Sequence, residues 1–182
     1  MIDVEKIIDN PYEKISVSFS EGMYNGLIEC AYRTAHELFE IDIKCSIEDK
    51  KCCCGSVSMR IMTEKFLNEG IISFEYLEVP MRISNRGVGS ILMSKVLNIA
   101  KDFAKYYKMS INKIYIKGWL SSVDYENGNW NNSLPFYQGI ARKNDVDVLF
   151  RGRDSKKEYT DWREYMMCEA NKDGDIIFIV PA

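Results

Sequence analysis

The sequence predicts one α/β domain over residues 1–182, built on a mixed sheet of about seven strands with helices on both faces. Alternating apolar and polar residues predict strands, whereas apolar residues at every third or fourth position predict amphipathic helices. Strands are predicted at residues 15–20, 41–47, 57–61, 71–79, 114–119 and 146–150, with a terminal hairpin at 165–170 and 175–180. Helices are predicted at residues 23–40, 88–107 and 131–142. A chain of this length can bury the core that such a fold requires.

A strand, a glycine-bearing turn and a long helix follow one another within residues 71–107. The turn contains Gly87 and Gly89, and Arg86 adds a positive charge just before them. Glycines let backbone N–H groups approach a ligand closely, and a helix start carries unpaired N–H donors and a partial positive charge. The sequence therefore predicts that an anionic group, such as a phosphate, binds at this turn.

Three other interpretations of the turn compete with this one. A dinucleotide-binding fingerprint needs Gly-x-Gly-x-x-Gly directly after the strand, but Leu92 occupies the third glycine position and seven residues separate Val79 from Gly87. A P-loop needs Gly-Lys-Ser/Thr at the helix start, which this sequence lacks. In the third interpretation the glycines only permit a tight connection between strand and helix, and the turn by itself does not exclude it.

Two motifs resemble the signatures of the GNAT superfamily of N-acetyltransferases. In the first, Leu-Glu-Val at residues 77–79 and Ser-Asn-Arg-Gly-Val-Gly at 84–89 match a strand ending in Leu-x-Val, then Gln/Arg-x-x-Gly-x-Gly/Ala and a helix. The second is Ser-Leu-Pro-Phe-Tyr at residues 133–137, where the family has a small residue followed by a tyrosine four positions on. The sequence departs from the family at Ser84 (usually Gln or Arg), at Trp130 (usually Asn) and in lacking Gly-Phe after Tyr137.

The resemblance implies a fold, a co-substrate and a set of site residues. It implies a mostly antiparallel sheet with a central, splayed parallel pair of strands, and an enzyme that moves an acetyl group from acetyl-CoA directly to an amine. Tyr137 would protonate the sulfur of coenzyme A, as a phenol with a reference pKa near 10 can do. The residues expected to bind acetyl-CoA are Leu77, Val79, Ser84, Asn85, Arg86, Gly87, Val88, Gly89, Ser90 and Asn132. The acceptor would be a small-molecule amine or a protein amine, and the resemblance is compatible with a homodimer.

The general base is left open between two carboxylates and water. Glu75 and Glu78 both lie on the predicted strand, and strict alternation would put them on opposite faces, so that only one points into the cleft. Glu75, two residues before Leu77, is preferred, and deprotonation of the amine through water competes with both. The polar segment at residues 120–132, which carries Asp124 and Trp130, is expected to face a cationic amine acceptor.

Two further function classes remain in view. One is a non-catalytic acyl-CoA-binding or protein-interaction domain that keeps the fold and has lost the reaction, an interpretation favoured by the departures at Ser84 and Trp130. The other is an unrelated α/β nucleotide-binding domain, which would bind a dinucleotide or ATP in preference to coenzyme A.

Charge, hydropathy and cysteine content argue against a nucleic-acid-binding, membrane-spanning or metal-binding protein. A net charge of -3 and a pI of about 5.4 indicate no general affinity for nucleic acid. The sequence has no apolar run of about 18 residues and no hydrophobic signal-peptide segment, so we expect a cytoplasmic protein without a membrane segment. Six cysteines and one histidine lack the spacing of a zinc site, which predicts free thiols and no metal.

Overall fold

The computed structural model describes residues 3–9, 13–35, 38–49, 52–79, 87–110, 112–169 and 172–182. Within these ranges the chain forms nine strands in one sheet, with six helices flanking it. The strands are β1 (Ile15–Glu21), β2 (Tyr24–Ala35), β3 (Leu38–Asp49), β4 (Cys52–Met62), β5 (Ile71–Glu78), β6 (Lys113–Leu120), β7 (Asp147–Gly152), β8 (Glu158–Tyr159) and β9 (Gly174–Pro181). The helices are α1 (Val4–Asp9), α2 (Thr63–Glu69), α3 (Val88–Tyr106), α4 (Ser122–Glu126), α5 (Trp130–Lys143) and α6 (Trp162–Cys168).

The strand order across the sheet is β1-β2-β3-β4-β5-β6-β9-β7-β8. Every neighbouring pair is antiparallel except β5 and β6, which run parallel at the centre. The predicted mixed sheet with a central parallel pair is therefore confirmed. The described residues form nine strands, where the sequence predicted about seven.

The helix predicted at residues 23–40 is wrong, because most of this stretch is strand β2 and the start of β3. Leu27 and Ala31 have helical spacing, but Ile28 and Cys30 are buried while Leu27 and Glu29 are partly exposed, which is the alternation of a strand. β2 pairs along its length with β1 on one side and β3 on the other. These long-range ladders override the local helical pattern.

One face of the sheet, the inner face, carries Met59, Phe74, Ile116 and Phe178 and is covered by helices. α3 lies on this face, since a Cβ added at Gly55 of β4 would come within 2.9 Å of the Val88 side chain. The predicted amphipathic pattern of α3 is confirmed, because its apolar residues point into the core. Those that are buried are Val88, Leu92, Met93, Val96, Leu97, Ile99, Ala100, Phe103 and Ala104.

Of two elements predicted in the C-terminal region, the structure confirms one and contradicts the other. The helix predicted at residues 131–142 is confirmed as α5, but residues 165–170, predicted as a strand, lie largely in α6. Asp161 begins α6, and its carboxylate accepts hydrogen bonds from the backbone N–H groups of Arg163 and Glu164. β9 therefore pairs with β6 and β7, and no hairpin joins it to residues 165–170.

No described helix is both long enough and apolar enough to cross a membrane.

Candidate active site

β5 and β6 pair over only three residues and then separate. The parallel pairs are Ile71 with Tyr115, Ile72 with Ile116 and Ser73 with Lys117. Beyond them β5 continues beside β4 as far as Glu78, and β6 continues beside β9 as far as Leu120. The facing edges of residues 74–78 and 118–120 thus have no ladder partner in each other. A gap opens between the two strands, and its facing backbone N–H and C=O groups, which have no ladder partner among the described residues, can bind an extended ligand.

A bulge in β5 lies beside the start of this gap. Ser58 of β4 pairs with Tyr76 and Met59 pairs with Phe74, so Glu75 is an extra residue without a partner on β4. The extra residue resets the alternation of side chains. Glu78 pairs with Ser56, on the same face of β4 as Ser58. The prediction that Glu75 and Glu78 lie on opposite faces is therefore wrong.

Glu75 takes part in a charged cluster on the face of the sheet opposite α3. This outer face carries Arg60, Glu75, Lys117 and Trp119. One carboxylate oxygen of Glu75 lies 3.2 Å from a guanidinium nitrogen of Arg60, and Ser58 Oγ donates to the other at 3.5 Å. Arg60 also contacts Asp42 at 2.8 Å and Glu40 at 3.8 Å. The hydrogen bond to Asp42 is the main cause of the raised pKa of Arg60, so this guanidinium stays charged.

The N-terminus of α3 has the features predicted for an anion site. Gly87 precedes the helix with φ +83°, a left-handed conformation that glycine adopts without strain. Among the described residues no side chain caps the helix, and its first turn contains no acidic residue. The N–H groups of the first turn are therefore available to an anion. Ser84, Asn85 and Arg86, also predicted to bind the co-substrate, lie outside the described residues.

The start of α3 packs tightly against the end of β5. A Cβ added at Gly89 would lie 3.0 Å from the ring of Phe136 on α5 and 3.5 Å from Val79. Gly89 thus lets α3, α5 and the end of β5 meet. Val88 is buried and Ser90 partly buried, whereas Leu77 and Val79 pack against the core from the edge of the gap. Four of the predicted residues, Leu77, Val79, Gly89 and Ser90, are therefore neighbours at one end of the sheet.

Tyr137 reaches the inner face beside the gap. Its ring centroid lies 6.0 Å from that of Phe74 and 6.0 Å from that of Phe178, both at near-perpendicular angles. Burial raises the pKa of Tyr137 to about 12, with a smaller contribution from Asp124. The phenol is thus protonated at neutral pH and next to the gap, as a general acid must be. Glu75 and Glu78 are on the outer face, so the predicted acid and the two candidate bases approach the gap from opposite sides.

The segment at residues 120–132, predicted to face the acceptor, is partly helical and contains a buried tryptophan. Residues 122–126 form α4, and Trp130 at the start of α5 is 2% exposed, with its ring against Tyr125 and Tyr165. Trp130 is therefore a core residue that holds α4 and α6 together, and the prediction that it faces an acceptor is wrong. Asn132 is exposed on the first turn of α5.

Sequence reasoning missed two residues that shape the gap. Gly118 of β6 makes room for Phe74, because a Cβ there would lie 2.5 Å from the Phe74 ring and 3.0 Å from Ile176. An isolated glycine within a predicted strand is a known sign of such close approach, so this signal was present. Trp119, the next residue, is 65% exposed on the outer face, and its alternation with Gly118 was the only clue to that orientation.

The described residues include two cysteines, Cys30 and Cys45, that lie deep in the core. In the described part of the chain, Cys30, Cys45 and Cys168 are free thiols, and burial raises the pKa of both Cys30 and Cys45 to about 12. Such thiols are poor nucleophiles at neutral pH. Within the same residues no group of three His, Cys, Asp or Glu side chains could hold a metal ion.

No protein-family model matches the sequence, and no curated protein matches it. Solved structures with a similar fold do exist. A Desulfovibrio desulfuricans protein assigned to the GNAT family of acetyltransferases is 9% identical, with 77% of this chain and 69% of that chain covered and a TM-score of 0.47. Diaminobutyrate acetyltransferase from Paenibacillus lautus, solved with L-2,4-diaminobutyric acid and coenzyme A, is 12% identical, with 76% and 69% covered and a TM-score of 0.45.

A third similar structure is the ribosomal-protein-S18-alanine N-acetyltransferase of Escherichia coli. It is 7% identical, with 81% of this chain and 71% of that chain covered and a TM-score of 0.42. At these identities the likeness concerns the fold alone. Each of the three structures is less than 25% identical to this chain and aligns with a TM-score below 0.5.

Proposed function

We propose that this protein is an N-acetyltransferase that moves the acetyl group of acetyl-CoA directly to an amine. One observation carries the proposal: the central parallel strands separate after Ser73 and Lys117, beside a helix N-terminus that no described side chain caps. A thioester with a long, flexible, amide-containing arm and a pyrophosphate needs this pair of features. The separated strand edges would bind the amides of the arm, and the helix start would bind the pyrophosphate.

The N–H groups of Val88, Gly89 and Ser90 would hold the pyrophosphate, since they belong to the first turn and lack intrahelical partners. Residues 75–78 would align the pantetheine arm and donate a backbone N–H to the thioester carbonyl. Such fixed donors stabilise the oxyanion that forms when the amine attacks. Holding the acyl carbon beside the nucleophile supplies further acceleration.

Tyr137 would serve as the general acid. The neutral amine forms a C–N bond to the acyl carbon, the C–S bond breaks, and the departing thiolate takes the proton of the Tyr137 hydroxyl. The amine loses a proton to Glu75 or to water, and that proton restores the phenol through solvent. No hydrogen-bond partner for the Tyr137 hydroxyl is found in the described part of the chain, so its proton is available for transfer.

The test is calorimetric titration with acetyl-CoA, coenzyme A, ATP and NAD. Ser90→Asp places a carboxylate in the first turn of α3, where it favours the helix but repels a bound pyrophosphate. We expect acetyl-CoA to bind, and this variant to weaken it by about tenfold or more while the melting temperature is kept. Ser94→Asp, one turn further along α3, is the matched control and should bind acetyl-CoA like the unaltered protein.

Three results would contradict the proposal. They are absence of coenzyme A binding, preference for ATP or NAD, and equal effects of the two aspartate substitutions. If acetyl-CoA binds but no amine causes release of the coenzyme A thiol, the non-catalytic alternative is favoured. The engagement of Glu75 by Arg60 and Ser58 is the observation that keeps this alternative in view.

A further inference from the structure

The outer face presents one exposed aromatic side chain on each side of the gap. Tyr76 of β5 is 44% exposed, and its pairing with Ser58 puts it on the same face as Arg60, two residues along β4. Trp119 of β6 is 65% exposed and lies two residues after Lys117, which pairs with Ser73 opposite Arg60. Tyrosine and tryptophan are enriched where proteins bind partners, because each combines a large apolar ring with a polar group.

Trp119 is held in one orientation although most of it is exposed. The guanidinium of Arg153 lies 5.1 Å from the centre of its ring. Asp173 accepts a hydrogen bond from the backbone N–H of Ser122 at 2.8 Å and pairs with Arg153 at 3.6 Å, and the Trp119 side chain contributes to the lowered pKa of Asp173. The ring therefore has a fixed face that is free to stack, which reduces the entropy lost when a ligand binds.

Lys117 lies at the point where the strands separate, two residues before Trp119. It is partly buried, and no carboxylate lies within ion-pair distance of its ammonium in the part of the chain that the structure describes. The neighbouring cation Arg151 is ion-paired with Asp175. Burial lowers the pKa of Lys117, and the charge of Arg151 lowers it further. Within the described residues the Lys117 ammonium thus has no carboxylate in ion-pair contact, and the charges of Asp175 and Glu69 act on it only from a greater distance.

We propose that Lys117, Trp119 and Tyr76 recognise the acceptor, and that the acceptor is an amine bearing both a carboxylate and a flat apolar group. This inference rests on the proposed function. The first turn of α3 and Tyr137 take the inner side of the gap, so the outer side is left for the acceptor. The acceptor carboxylate pairs with Lys117 and its ring stacks on Trp119, which leaves the amine at the opening between the strands.

Two amines that differ only in the carboxylate provide the test. Thiol release is measured with L-phenylalanine and with 2-phenylethylamine as acceptors. The quantity compared between the unaltered protein and its variants is kcat/KM for L-phenylalanine divided by kcat/KM for 2-phenylethylamine. We expect Lys117→Gln to lower this ratio by about tenfold, because it removes one charge-assisted contact. Trp119→Ala should lower kcat/KM for both amines by about tenfold, and Trp119→Phe should restore much of it.

Acetyl-CoA binding separates failure of this inference from failure of the proposed function. All variants should bind acetyl-CoA with the affinity of the unaltered protein. Lys113→Gln, at the exposed start of the same strand, is the control and should leave the ratio unchanged. The inference is overturned if acetyl-CoA binds but neither amine is acetylated, if 2-phenylethylamine is the better acceptor, or if Lys117→Gln leaves the ratio unaltered. If the unaltered protein does not bind acetyl-CoA, the proposed function is overturned instead.

Discussion

The two ends of the β5–β6 pair are built from the same two strands and behave differently. At one end, residues 71–73 and 115–117 form parallel pairs, and Ile72 and Ile116 are fully buried between the sheet and its helices. At the other end the strands separate, and exposed side chains such as Trp119 and Tyr76 border the gap. One strand can thus contribute core stability along part of its length and ligand-binding backbone along the rest.

The structure gives local reasons for the change. Glu75 is an extra residue on β5, and bulges twist a strand away from its neighbour. The ring of Phe74 lies over Gly118 of β6. A larger residue at position 118 would clash with this ring. Substitutions at the paired end should therefore reduce stability, and those at the separated end should mainly reduce binding or catalysis.

The largest effect is expected for Tyr137→Phe. Loss of the acid should lower kcat for thiol release by about 10² to 10⁴-fold, with acetyl-CoA affinity and melting temperature nearly unchanged. Because the pKa of Tyr137 is raised to about 12, this group should cause no loss of kcat up to about pH 10. Tyr159→Phe is the control, since its hydroxyl donates to Glu169 at 2.7 Å and its loss should cost stability but not turnover. An unchanged kcat in Tyr137→Phe would remove Tyr137 from the mechanism.

Ile72→Ala tests the paired end. Ile72 is 0% exposed, so the cavity should lower the free energy of unfolding by about 2–5 kcal/mol in urea titrations. Acetyl-CoA affinity of the folded fraction should be kept. Tyr76→Ala, on the same strand and 44% exposed, should change stability by no more than about 0.5 kcal/mol. Equal losses of stability at both positions would contradict the distinction between the two ends.

Gly118→Ala tests the point of separation. The added Cβ would lie 2.5 Å from the Phe74 ring, and we expect a loss of about 1–3 kcal/mol in stability together with weaker acetyl-CoA binding. Gly139→Ala, on α5 with nothing within 4 Å of an added Cβ, should instead stabilise the protein by about 0.4–1 kcal/mol. If both changes are neutral in thermal and urea unfolding, the packing of Phe74 over Gly118 does not constrain the gap.

The smallest effect concerns Asp173, which holds Trp119 and the start of α4 at the separated end. The backbone N–H of Ser122 is the first cause of its lowered pKa. A lowered carboxyl pKa contributes stability above the unfolded value of about 3.9 and loses it as pH falls through the folded value. Asp173→Asn should therefore lower the melting temperature slightly at pH 7 and flatten its decline below about pH 4. A decline as steep as in the unaltered protein would show that Asp173 does not contribute.

Strand β5, the glycines before α3 and α3 itself could be predicted because their local sequence patterns agree with their places in the fold. Residues 71–79 alternate, residues 88–107 have helical spacing, and Gly87 with Gly89 mark the turn between them. The helix α6 could also have been found, since Asp161 followed by Glu164 is a capping signature for a helix N-terminus.

Other features were not accessible from the sequence. The strand β2 depends on ladders with β1 and β3, whose register no local pattern specifies. The bulge at Glu75 likewise appears only when β4 and β5 pair, and it decides which face each of Glu75, Tyr76 and Glu78 occupies. The positions of Lys117 and Trp119 on the outer face follow from the same pairings.

Amide hydrogen exchange with and without saturating acetyl-CoA tests the central claim most directly. We predict slower exchange within residues 74–78, 87–90 and 118–120, where ligand atoms would meet unpaired backbone groups. Exchange within residues 71–73 and 115–117 should not change, since those groups are already paired. Protection confined to another part of the molecule, or no protection at all, would contradict the account of the gap as the acetyl-CoA site.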